Sequence, residues 1–263
     1  MRVSETKVTF GIIIGTRGFF NPKLAQESRK QLLATLDKRG YSHVILPETA
    51  TAHGAIETLA DAKKCADLFQ GHRDSIDGII VVLPNFGDEL GIVQTLDRAK
   101  LNVPVLIQAC SDKLDAVDVS GRRDAFCGKL SVCNNLYQYG IPFTDTRDHT
   151  CEIDSDAFVA DLDFFAAVCR VVKGLRHARV GAIGARPAAF QTVRFSEKLL
   201  QDSGITVVPV DLSEIIGRAK QLDGEATAVK KRLSEIEAYG TIPSRIDDQN
   251  VLKQARLSVV AVS

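Results

Sequence analysis

Residues Val8–Phe20 read VTFGIIIGTRGFF. The first eight, Val8–Gly15, form a near-continuous apolar run of strand length. A parallel strand covered on both faces has this pattern, whereas a half-exposed strand alternates. The run breaks at Gly15 into a loop carrying Arg17, Phe19 and Phe20, and Pro22 stands where a helix can begin. The glycines at 11, 15 and 18 do not spell G-x-G-x-x-G, and the loop lacks the Lys-Ser/Thr of a P-loop. Dinucleotide or ATP binding is therefore not expected here.

Outward from this strand, helical and strand patterns alternate. A helix is expected over Lys23–Arg39, stopped by Gly40, then a strand over Ser42–Leu46 and a helix over Ala55–His72. Asp77–Leu83 is the third strand, Asp88–Lys100 a helix, and Val103–Gln108 the fourth strand. A helix over Ala125–Tyr139 leads to a short fifth strand at Ile141–Phe143. Strands joined by helical crossovers predict an α/β fold with a doubly wound, Rossmann- or flavodoxin-like parallel sheet.

The length of 263 residues suggests two domains. The charged segment Thr146–Asp156 (TRDHTCEIDSD) places the boundary near residue 150, giving domains 1–150 and 151–263. The second begins with a helix over Asp154–Lys173, stopped by Gly174. Strands at Ala178–Gly184 and Ile205–Val210 follow, with a helix between them over Val193–Asp202 and helices after them. Two strands make a poor sheet. The second α/β domain is therefore expected to be incomplete, through truncation or because its missing strands lie on another chain.

Composition excludes several classes. Lys plus Arg equals Asp plus Glu at 33 each, so bulk charge recruits neither nucleic acid nor an anionic membrane. Apolar runs fall short of a membrane span, and the N-terminus lacks a secretory apolar core. The six cysteines form no C-x-x-C pair and the histidines no metal-type spacing, so reduced thiols in a cytoplasmic protein are expected.

Ligands of open parallel sheets bind beyond the carboxyl ends of the strands, which selects three loops. In the first, Arg17 offers a fork of donors suited to hydroxyls or an anion, beside two aromatics, Phe19 and Phe20, expected to be exposed and to suit a sugar or a partner surface. A salt bridge to a neighbouring loop would explain Arg17 equally well. In the second, LPNFGDEL, Asp88 and Glu89 are accounted for by the helix start, but Asn85 and Phe86 are not. The third leads into a helix with Lys129, Asn134 and Asn135 as polar candidates, while Cys127 and Cys133 read as small buried residues. In the second domain Arg186 follows a strand and could reach a ligand, although its neighbours also read as turn residues. The carboxylates of Cys151–Asp154 (CEID) sit at a helix start, where the dipole favours acids without any metal.

The order of these loops resembles the N-terminal half of the L-fucose isomerase and L-arabinose isomerase family. The resemblance is carried by GTRGFF (15–20), VVLPNFGDE (81–89), RRDAFCGKLSVCNNLYQYGIPFT (122–144) and RVGAIGARPAAFQTVRFSEKLLQDSGI (179–205). It implies two α/β domains followed by a β-rich one, and aldose–ketose isomerisation through an enediol with a divalent metal, often Mn²⁺. The metal ligands would lie beyond Ser263, so no catalytic or metal residue is expected in these 263 residues. The resemblance further implies a homotrimer or homohexamer in which the first domain completes a neighbour's sugar site through Arg17 and Phe86. The rivals are a non-catalytic sugar-binding module or effector domain, and an inactive interaction subunit.

Overall fold

The computed structural model describes residues 7–263 and divides the chain into two compact units, the first ending at Gly174 and the second starting at Leu175. The sheet of the first unit contains β1 (Thr9–Ile14), β2 (Ser42–Ile45), β3 (Gly78–Leu83), β4 (Val105–Ala109) and β5 (Thr144–Asp145), all parallel, in the order β2-β1-β3-β4-β5. The chain winds one way from β1 to β2 and the other way from β1 towards β3, so the topological switch point lies between β1 and β3.

Alternate residues of these strands feed two cores. On one face Ile13, Ile79, Val81, Leu83 and Ile107 meet α2 (Leu59–Gly71), α3 (Glu89–Ala99) and α4 (Ala125–Gln138). On the other, Phe10, Ile12, Ile14, Ile80 and Val82 meet α1 (Pro22–Arg39) and α5 (Asp156–Arg176). Burial on both faces is why VTFGIIIG is continuously apolar.

Its glycines serve packing. A Cβ on Gly11 would lie 3.0 Å from Phe69 of α2, and one on Gly15 would lie 2.6 Å from Ile92 of α3. Both share the Ile13 face, so β1 is narrow where α2 and α3 press on it.

Several boundaries move. Residues 55–57 are extended, not helical: Ile56 bridges Gly15, donating to the Ile14 carbonyl at 2.8 Å and accepting from the Thr16 amide at 3.1 Å. Gly54, in the left-handed region at φ 65°, turns the chain into that path. Thr58 then starts α2 with a reciprocal capping box to Asp61. The fifth strand pairs at Thr144–Asp145, while Ile141 and Phe143 pack on the helical core; Pro142 has no amide to give a ladder.

The domain division also differs from residue 150. Phe158, Leu162, Phe165, Ala166 and Cys169 of α5 are buried in the core of the first sheet, and the helix runs past Gly174 to Arg176. Amphipathic pattern identified the helix but not the sheet that it covers.

The second unit contains the parallel pair β6 (Arg179–Ile183) and β7 (Thr206–Val210) with α6 (Glu197–Asp202), α7 (Leu212–Gln221), α8 (Thr227–Tyr239) and α9 (Asp248–Ala261). Ile215, Ala219 and Val260 form a small core with Val210, Leu222 and Leu257. Val180 and Ile183 of β6 remain exposed. Among the described residues, this sheet has two strands, as the sequence pattern predicts.

Phe165 stacks on Phe10 with ring centroids 5.7 Å apart. Replacing Phe165 by alanine is expected to destabilise the protein by about 3–5 kcal/mol, measured as a lowered urea midpoint. No loss would mean that α5 does not belong to the first core.

Candidate functional site

At the switch point, the loops after β1 and β3 are locked together by hydrogen bonds. Gly15 donates its amide to the Val82 carbonyl at 2.9 Å. Asn85, wholly buried, donates through Nδ2 to Thr16 Oγ1 at 2.9 Å and accepts the Gly87 amide on Oδ1 at 3.0 Å. Gly87 adopts φ 73°, a conformation that glycine takes without strain. Asp88 then caps α3 by accepting the Gly91 amide at 2.7 Å.

This framework sets Arg17 over Phe86. The guanidinium carbon lies 4.5 Å from the ring centroid, a cation–π contact worth about 0.5–2 kcal/mol. Arg17 forms no ion pair among the described residues, so the salt-bridge explanation of this residue is not what the structure shows. The next amide, Gly18, donates to Glu57 Oε1 at 2.5 Å. A Cβ on Gly18 would fall 2.6 Å from that oxygen, so a side chain there would displace the Glu57 carboxylate. Phe20, expected to be exposed, is instead buried and meets Phe19 edge-on, leaving only Phe19 of the two exposed, at 62%.

The third loop closes the group from the other side. Asn21, the α1 cap, donates to the Ser120 carbonyl at 2.9 Å, and Arg123 donates to the Pro84 carbonyl at 3.0 Å. Gly128 of α4 lies against the backbone of Phe86; a Cβ there would sit 1.9 Å from the Phe86 carbonyl oxygen. Any larger residue at 128 would push Phe86 out from under Arg17.

The structure thus brings Arg17, Phe19 and Phe86 to one edge and gives other candidates different work. Asn85 faces inward and positions the loops. Lys129 is 3% exposed, and its ammonium pairs with Asp145, donates to Thr146 Oγ1 at 2.7 Å and to the His149 carbonyl at 2.9 Å. Those three contacts use its three donors, so it has none left for a ligand. Asn134 and Asn135 bond along their own helix, to Gln138 and Ser131. Arg186 lies in the second unit and donates to the carbonyls of Pro187 and Ala188, at 3.1 and 3.2 Å. Glu57 was missed because its segment reads as helix; only the bridge of Ile56 to Gly15 brings it to the site.

Five of the six cysteines have thiols that burial disfavours as thiolates. Burial pushes Cys65 and Cys169 up to about 12, and Cys133 and Cys151 up to about 11. Burial also raises Cys110, against opposing hydrogen bonds from Ser28 and Gln108. Cys127, expected to be buried, is exposed on α4. Among the described residues, no three His, Cys, Asp or Glu side chains converge as metal ligands.

A family model described as the fucose/sulfoquinovose isomerase N-terminal domain matches residues 11–176. The chain belongs to that family. The match begins within β1, covers β2 to β5, and ends with α5, where the first core ends. No curated protein matches the chain. The family is one of sugar isomerases. Among the described residues, no helix is long and apolar enough to cross a membrane.

The inward role of Lys129 is testable. Lys129→Met is expected to cost about 1–3 kcal/mol of stability, discounted because Asp145 is 43% exposed on its side chain and can be solvated. Sugar affinity should be unchanged in the folded variant; a selective loss of affinity without loss of stability would restore Lys129 to the site.

Proposed function

We propose that this chain is the sugar-recognition portion of a metal-dependent aldose–ketose isomerase, acting on an aldose and its ketose through an enediol. The observation that carries this reading is Arg17 held 4.5 Å over Phe86 at the switch point, with no counter-ion among the described residues. An aromatic face packs against the C–H side of a sugar ring, and a guanidinium fork with uncommitted donors bonds its hydroxyls. Rigid supports behind both, Asn85 and Gly128, keep the pair preorganised, which lowers the ordering cost of binding.

The described residues present no ligand set that fits a divalent ion. This chain is assigned substrate binding. Mn²⁺ or another divalent ion is assigned to residues of the intact protein outside this sequence. When bound, such an ion would stabilise the charge that develops on the two sugar oxygens.

The reading includes a homotrimer or homohexamer. Exposed Phe19, Leu114, Val117 and Val119 around the site support a further protein surface closing over it. Six free thiols support a reducing, cytoplasmic setting.

Arg17→Ala should weaken sugar binding about tenfold or more while leaving Mn²⁺ affinity of the intact protein unchanged, both measured by calorimetry. Unaltered sugar affinity would remove Arg17 from the site and with it the basis of the reading.

A further inference from the structure

Glu57 has one committed oxygen and one uncommitted one. Oε1 accepts the Gly18 amide at 2.5 Å, and Oε2 has no hydrogen-bond partner among the described residues. The residue is half-buried, and its backbone is fixed by the bridge of Ile56 to Gly15. Arg17 adjoins Gly18 in the chain, yet the carboxylate and the guanidinium form no ion pair; the guanidinium lies over Phe86 instead. An acceptor and a donor fork therefore flank one turn without neutralising each other.

That arrangement suits hydroxyls. Each sugar hydroxyl both donates and accepts, so one diol can donate to Glu57 Oε2 while accepting from Arg17. A sulfonate, phosphate or carboxylate has nothing to donate to Oε2 and is repelled by it.

Resting on the sugar reading above, we propose that Glu57 is a specificity-determining residue. With Arg17 it grips a diol of the substrate, and it selects a neutral, hydroxyl-bearing end of the sugar against an anionic substituent. The family description spans both kinds of sugar, fucose being neutral and sulfoquinovose carrying a sulfonate, so these are the appropriate probes.

The test is titration of the intact oligomeric protein, loaded with its divalent ion, with L-fucose and with sulfoquinovose by saturation-transfer NMR, in the wild type and in Glu57→Gln. The glutamine retains an oxygen for the Gly18 amide but removes the charge. The wild type should bind fucose at least about tenfold tighter than sulfoquinovose, and Glu57→Gln should narrow that ratio at least about threefold, chiefly by improving sulfoquinovose. Should the variant fail to fold, the wild type still decides. Raising ionic strength from about 0.01 M to about 1 M should narrow the ratio by screening the carboxylate. A ratio unmoved by both changes, or a wild type that prefers sulfoquinovose, overturns the role of Glu57 and leaves the sugar reading standing. Binding of neither sugar by the wild type overturns both.

Discussion

The close approach of β1 to α2 and α3 governs the first unit. Gly11 and Gly15 place no side chain on the face where Phe69 and Ile92 press in. A methyl at Gly15 would overlap Ile92, and relieving such overpacking typically costs about 1–3 kcal/mol. Because α3 sits so near β1, the loop that enters α3 lies directly on the end of β1. A Cβ on Gly87 would lie 3.6 Å from the Gly15 backbone, and Asn85 bonds Thr16. The position of Phe86 under Arg17 follows from that packing.

Buried polar groups maintain the same geometry. Asn85 and Lys129 look like ligand-binding residues in sequence because polar side chains near strand ends often are. In the fold both are desolvated and satisfied by protein partners, as buried polar groups must be. The groups they hold at the edge are few: the Arg17 fork, the aromatic rings of Phe86 and Phe19, and one oxygen of Glu57. An inner layer sets the distances within an outer one.

The two units differ in how far they satisfy their strands. β1, β3 and β4 are covered on both faces by helices, the normal condition of a parallel sheet. β6 and β7 pair with each other, yet β6 leaves Val180 and Ile183 in solvent. A core of Ile215, Ala219 and Val260 is small for a unit of this length. The family match ends at residue 176 and covers only the well-packed unit.

The sequence by itself determined the parallel α/β class, the order of strands and helices in the first unit, and the loops that carry Arg17 and Phe86. These follow from local signals: continuous apolar runs, glycine stops and helix caps act within a few residues of where they are written. Only the tertiary structure decided which polar residues are taken up by protein partners. Lys129 meets Asp145 and His149, and Asn85 meets Thr16, across separations that periodicity does not encode. The same holds for α5, whose apolar stripe could have served either unit, and for Glu57, which looks like part of a helix. Its neighbour Ile56 completes the backbone hydrogen bonds at the end of β1, and that non-local demand outweighed local helix propensity. In VTFGIIIGTRGFF, the glycines were legible as a break; that they make room for two helices was not.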